Sequence, residues 1–272
     1  MNKTNQGDGV IIGIIDSGIG WGDNSEVFNE KGVGPIPSRW KGSCKEEDNF
    51  SATKYCNRKI IGARWYMKGM MEANDLNQTM AERLHKLSAL DDNGHGTHVA
   101  YTAAGSYVNN VQYYDLNMGT THGGAPLARL AIYKVAWNGI NGEMISNIDV
   151  LAAIDDAIKD GVDVISISIG GGGGGAVNYA DINEDTLFGI GSFHAVSYGR
   201  SFIASGGNSG PTSYTVGATS PWVISVASSC FNREIVTPLT LGNNKTIRAS
   251  GLIKGKGHGF APLVTLANVT KV

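Results

Sequence analysis

A chain of 272 residues has room for one large or two modest domains, single domains commonly running to about 100–200 residues and α/β folds to about 250. Hydrophobic residues make up 42% and charged residues 17%, which excludes a disordered or highly charged scaffold. Lys and Arg number 22 against 24 Asp and Glu, a net charge of −2, so nothing electrostatic favours nucleic acid or an anionic membrane as a partner. No apolar run approaches the roughly 18 residues needed to cross a bilayer.

The chain opens on a polar stretch, Met1 to Gln6, with none of the apolar character of a secretory signal. Val10-Ile11-Ile12-Gly13-Ile14-Ile15 then reads as a strand buried on both faces of a parallel sheet. It ends at Asp16 in a glycine-rich turn. A dinucleotide-binding turn is excluded, because Gly18-Ile19-Gly20 is followed by Trp21-Gly22-Asp23-Asn24 and not by the helix opening that G-x-G-x-x-G requires. An acid at the C-terminal end of such a strand points into the crevice where open α/β sheets bind ligands, so Asp16 is a site candidate; an aspartate capping its own turn is the plainer alternative.

Residues 23–57 and 67–90 are polar and weakly periodic, which predicts surface loops, the second with a short helix. Cys44 and Cys56 lie 12 residues apart in the first of these, compatible with a bridge or with two thiols, and Cys230 is left over.

Asp91-Asp92-Asn93-Gly94-His95-Gly96-Thr97-His98-Val99-Ala100 comes next. Small residues after His95 allow a helix to pack tightly on the sheet and hold an imidazole beside a strand end, near Asp16. A carboxylate on one ring nitrogen fixes the tautomer and leaves the other nitrogen to take a proton, the arrangement a general base needs. His95 and His98 would otherwise be half a metal site or packing histidines. A metal needs more ligands, and the Glu of H-E-x-x-H is missing, so none is expected.

Leu130 to Val135 and Val162 to Ile169 are further buried-strand patterns. Between them Ile148, Leu151, Ile154 and Ile158 recur at helical spacing, with Asp149 in the first turn and Gly161 as the stop. An apolar segment from Leu187 to Val196, then Ser201 to Ala204 and Trp222 to Ala227, continue the alternation. The fold class predicted is α/β, a parallel β-sheet with helices on both faces. After Ala204 the run Ser205-Gly206-Gly207-Asn208-Ser209-Gly210-Pro211 puts an amide at the mouth of the sheet, where Asn208 would donate to a developing oxyanion or simply serve a tight turn.

Asp16 in Ile-Ile-Asp-Ser-Gly-Ile, His95 in Asn-Gly-His-Gly-Thr-His-Val-Ala and Asn208 in Ser-Gly-Gly-Asn-Ser-Gly-Pro, in that order, resemble the three motifs of the subtilisin-like serine proteases. Pro37 to Cys44, Cys56 to Arg64, Ala125 to Val135 and Asp149 to Gly170 are similar to the plant subtilases, and the likeness runs over roughly residues 8–266. It implies a subtilisin-like fold, incomplete at its C-terminal side: residues 1–237 as a partial peptidase domain, residues 238–272 as the start of an insertion resembling a protease-associated domain. It also implies a serine endopeptidase acting on peptide or protein substrates, with Asp16 orienting the imidazole, His95 moving the proton and Asn208 serving the oxyanion. Ser166, Ser168 and Gly170 would form an edge that pairs with an extended substrate. The resemblance further implies a Cys44–Cys56 disulfide, an extracellular setting, an inhibitory propeptide not in this chain, and no cofactor.

Three departures stand out. The Gly-Thr-Ser-Met-Ala motif that carries the family's nucleophile occurs nowhere in the 272 residues. The chain is therefore expected to be inactive alone, either as part of a truncated peptidase or as a non-catalytic pseudoenzyme or gene remnant that keeps a peptide-binding groove. Gly207 stands where the family usually has Ala before Gly-Asn or a similar small residue, and Tyr101 is bulkier than the Ser usual at that helix position.

Overall fold

The structure is a computed structural model and describes residues 5–20, 26–47, 49–85, 87–114, 116–139, 142–169, 187–229 and 234–251. The chain divides into two compact units, Met1–Ala227 and Ser228–Val272. In the first, the elements in chain order are β1 (Ile11–Asp16), α1 (Ala52–Tyr55), β2 (Ile60–Trp65), α2 (Lys68–Ala73), α3 (Gln78–Leu84) and α4 (His95–Ala104). The hairpin of β3 (Val108–Tyr113) and β4 (Leu116–Thr121) follows, then β5 (Arg129–Lys134) and the hairpin of β6 (Ala136–Gly139) and β7 (Gly142–Ile145). The unit continues with α5 (Asn147–Asp160), β8 (Val164–Ile167), α6 (Leu187–Ser197), β9 (Ser201–Ser205) and β10 (Ile224–Val226).

Six strands form a parallel sheet in the order β10-β9-β8-β1-β5-β2. Successive side chains of a strand point to opposite faces, and the apolar run of β1 feeds both cores. Ile11 and Ile15 pack with Val150, Ile154 and Ala157 of α5 and Ala195 of α6, while Ile12 and Ile14 pack with Ala100 and Ala104 of α4. Helices therefore cover both faces, the predicted α/β class. Asp16 shares the parity of Ile12 and Ile14, which directs it to the α4 side.

Helix α5 matches its sequence signals. Asp149 lies in its first turn, Lys159 in its last, and the chain leaves it at Gly161. Acid at the start and base at the end oppose the helix dipole. Asp149 is buried, and its carboxylate accepts the backbone N–H groups of Gly69 and Met70 at 2.9 Å each, joining α5 to α2.

Residues 67–90 carry the short helices α2 and α3, in line with the short helix expected there, but the reading of this stretch and of residues 23–57 as surface loops is corrected by the structure. Phe28, Val33 and Phe50 are buried, and Met67, Met70 and Ala81 close around Trp137. These apolar residues are isolated among polar ones, so no periodicity betrays them. Side chains hold the intervening backbone instead: Asn57 Oδ1 accepts the N–H groups of Lys59 (2.7 Å) and Ile60 (2.9 Å), setting the start of β2.

The second unit contains β11 (Val236–Thr240) and β12 (Thr246–Ser250), an antiparallel pair in which Thr240 faces Thr246. The turn residues Gly242-Asn243-Asn244 lie between them.

Candidate active site

Strand β1 delivers Asp16 at its last position, and α4 delivers His95 at its first. His95 Nδ1 lies 2.7 Å from Asp16 Oδ1, and the two side chains are 52% and 1% exposed respectively. The same carboxylate oxygen accepts the Ser17 N–H at 2.7 Å, while Oδ2 is buried with no hydrogen-bond partner among the described residues. Burial pushes the Asp16 carboxyl above its ordinary value, and the bonds from His95 and Ser17 act against that rise. With the carboxylate as acceptor, the Nδ1 proton is fixed on the Asp16 side and the other ring nitrogen can exchange a proton.

The first N–H groups of a helix lack partners within it, and here each of them is satisfied by the loop or by the turn after β1. His95 N donates to Asn93 Oδ1 (2.8 Å), Gly96 N to Ser17 Oγ (2.8 Å), Thr97 N to Asp91 Oδ2 (2.9 Å) and His98 N to Gly94 O (3.1 Å). A Cβ on Gly96 would fall 2.6 Å from the Gly18 carbonyl oxygen, so only glycine allows this helix start to lie on the turn. The bulky Tyr101 is accommodated one turn later because residue 105 is glycine: a Cβ there would fall 2.0 Å from the Tyr101 ring. His98 is exposed, and among the described residues no three His, Cys, Asp or Glu side chains gather as metal ligands.

Asn208 follows β9 by three residues. All strands of the sheet run parallel, so Asn208 lies at the same edge as Asp16, with β8 between their strands, about 10 Å at the usual strand spacing. It is exposed. Gly207, at φ 87°, turns the chain here in the left-handed region that favours glycine. The Gly206 N–H donates to Val226 O at 2.8 Å and anchors this turn to β10.

The expected substrate edge needs correction at Ser166. It lies inside β8, opposite Ile14 on one side and Ile203 on the other, so its backbone belongs to the sheet interior and offers no free ladder position. Ser168 lies just beyond the end of β8 and is partly buried; Gly170 falls outside the described residues, as does Cys230. Cys44 and Cys56 form a disulfide with Cα atoms 6.6 Å apart, and Cys44 lies beside Ala63 of β2.

Two supporting residues had no role assigned by sequence reading, Asp91 and Lys134. Lys134 is fully buried, and its amine donates to Leu90 O (2.6 Å) and Asp92 Oδ1 (3.2 Å), holding the loop that leads to His95. Its signal was present in the sequence as a lysine closing an apolar strand.

Residues 7–255 match the subtilase family, Peptidase S8. The chain belongs to the subtilases. It is 46% identical over 270 residues to subtilisin-like protease SBT3.4 of Arabidopsis thaliana and 45% identical over 267 residues to subtilisin-like protease SBT3.8 of the same plant. Each alignment covers 97% of this chain and 33% of the relative, so this subtilase chain spans about a third of the length of the curated relatives it matches. Asp16, His95 and Asn208 all lie within the family match. Among the described residues no helix is long and apolar enough to cross a membrane.

Proposed function

We propose that this subtilase chain supplies the Asp–His pair and the oxyanion amide of a serine endopeptidase that cleaves peptide bonds in peptide or protein substrates. The observation that carries the reading is the 2.7 Å contact between a buried carboxylate and a half-exposed imidazole at the C-terminal edge of a parallel sheet. Asp16 holds the imidazole in one tautomer and stabilises the imidazolium. His95 takes the proton of an attacking serine hydroxyl and returns it to the leaving amine. Asn208 donates to the oxygen of the tetrahedral intermediate.

The serine is not contributed by a Gly-Thr-Ser-Met-Ala motif within these 272 residues, so they are inactive by themselves. That same absence favours a second reading, a non-catalytic chain that binds extended peptides beyond the end of β8. Residues 238–272 would open an inserted domain resembling a protease-associated domain. An extracellular location fits the Cys44–Cys56 disulfide, since such bonds persist in oxidising compartments. An inhibitory propeptide belongs to the same reading.

Purified chain should neither hydrolyse a fluorogenic peptide nor label with a fluorophosphonate. Turnover or labelling would refute the missing-serine reading. In a form of the protein that carries the serine, Asp16→Asn should lower kcat by about 10⁴, the loss typical when a triad carboxylate becomes an amide; unchanged kcat would remove Asp16 from the mechanism.

A further inference from the structure

We propose that Asp91 is a positioning residue for the Asp16–His95 pair, bridging the turn that carries the carboxylate to the helix that carries the imidazole. This rests on the reading of that pair as the catalytic acid and base of a peptidase. Asp91 Oδ1 accepts the Ser17 hydroxyl (3.0 Å) and the N–H groups of Asn93 (3.2 Å) and Gly94 (2.9 Å). Its Oδ2 accepts both the N–H (2.9 Å) and the hydroxyl (2.5 Å) of Thr97.

Each hydroxyl, having donated its proton to Asp91, turns a lone pair to a backbone N–H. Ser17 Oγ accepts from Gly96 (2.8 Å) and Thr97 Oγ from Gly20 (3.0 Å). Two relays thus run from one carboxylate in opposite directions. One starts on the turn and closes on the helix; the other starts on the helix and closes on the turn. A side chain serving only as a helix cap would bond its own helix. Asp91 also reaches 74 residues back to Ser17, the neighbour of Asp16.

The relays need an acceptor-only group at their centre, which a carboxylate is and an amide is not. Burial pushes the Asp91 carboxyl up, but the bonds from Thr97, Gly94 and Asn93 outweigh it and hold the group below the usual carboxylate range. Asp91 is therefore an anion at neutral pH, a second negative charge behind Asp16. The loop's other acid, Asp92, is paired with Lys134 of β5 at 3.2 Å. The site so built stabilises a positive charge on His95 and fixes the ring against Asp16.

The test is a histidine NMR titration of the 272-residue chain, with circular dichroism as a check on folding. Asp91→Asn should lower the pH midpoint of His95 by roughly half a pH unit or more, since a nearby opposite charge favours the charged form, and should speed exchange of its Nδ1 proton. A folded Asp91→Asn chain with both properties unchanged would overturn the proposal, whatever its Tm. If that variant does not fold, Ser17→Ala decides: it keeps the charge and cuts one relay, and it should still speed Nδ1 proton exchange, an unchanged rate counting against the proposal. Asp16→Asn tests the underlying reading separately; if it leaves the His95 midpoint unmoved, the pair itself is misread.

Discussion

Gly96 packs on Gly18 without space for a methyl group between them: a Cβ on Gly96 would meet the Gly18 carbonyl oxygen at 2.6 Å and the Ser17 nitrogen at 3.0 Å. The neighbours are backbone atoms of the turn that carries Asp16, and backbone cannot yield as a flexible side chain can. Gly96→Ala must therefore push α4 off the turn and with it His95 from Asp16. We expect a loss of about 1–3 kcal/mol, the usual cost of overpacking a tight contact, together with loss of the hydrogen-bonded His95 Nδ1 proton by NMR. A Gly96→Ala chain with unchanged unfolding free energy and an intact Nδ1 signal would show that the close approach is dispensable.

The catalytic candidates were legible because their surroundings have strong local chemistry. Asp16 ends an unbroken apolar run, and His95 heads a helix of small residues, so each position is marked by its neighbours as well as by a family motif. Strand β1 and helix α5 were legible for the same reason, through two-faced burial and helical spacing. The cluster of Met67, Met70 and Ala81 around Trp137 is invisible in the sequence, because long-range contacts place these residues and no local period marks them. A sequence cannot say how many neighbours a strand has, and in the fold β1 and β9 take both sides of Ser166. Asp91 lies in plain view within the histidine motif, but Ser17, the partner that ties it to the turn carrying Asp16, is 74 residues away.

The Cys44–Cys56 disulfide closes a short loop that packs against the α4-side core. Cross-linking residues at this separation stabilises chiefly by restricting the unfolded chain, worth about 3 kcal/mol for loops near this size. A Cys44→Ser, Cys56→Ser double variant should melt lower than wild type, and reductant should bring wild type down to the variant while leaving the variant where it is. A wild-type melting curve indifferent to reductant would contradict this.

Lys59 makes stability depend on pH. Its amine is fully buried and donates to Pro126 O (2.8 Å) and Ala128 O (2.6 Å); burial, with a smaller effect from the Arg129 charge, pulls its pKa from 10.5 down to about 7. Below pH about 7 both folded and unfolded chains hold the proton, and the folded state bears the whole cost of a buried charge. From there towards pH about 10 the unfolded chain binds a proton that the folded one lacks, so the unfolding free energy rises with pH. Lys59→Met abolishes the titration. The wild-type unfolding free energy minus that of the variant, followed by denaturant titration, should therefore climb across this interval. A flat difference would mean the amine keeps its ordinary pKa in the fold.

Asn208 should separate stability from chemistry. Its side chain is exposed, and the turn that carries it is fixed by Gly206 and Gly207, so Asn208→Ala should leave Tm within about a degree, as surface substitutions usually do. In a form of the protein that carries the nucleophile, the same change should lower kcat by about 10²–10³ with little effect on KM, because an oxyanion donor acts in the transition state and not on the bound substrate. That range is the one known for the oxyanion amide of subtilisin. A rise in KM at constant kcat would instead make Asn208 a substrate-binding residue. A large fall in Tm would make it a structural part of the turn and leave the oxyanion to another donor.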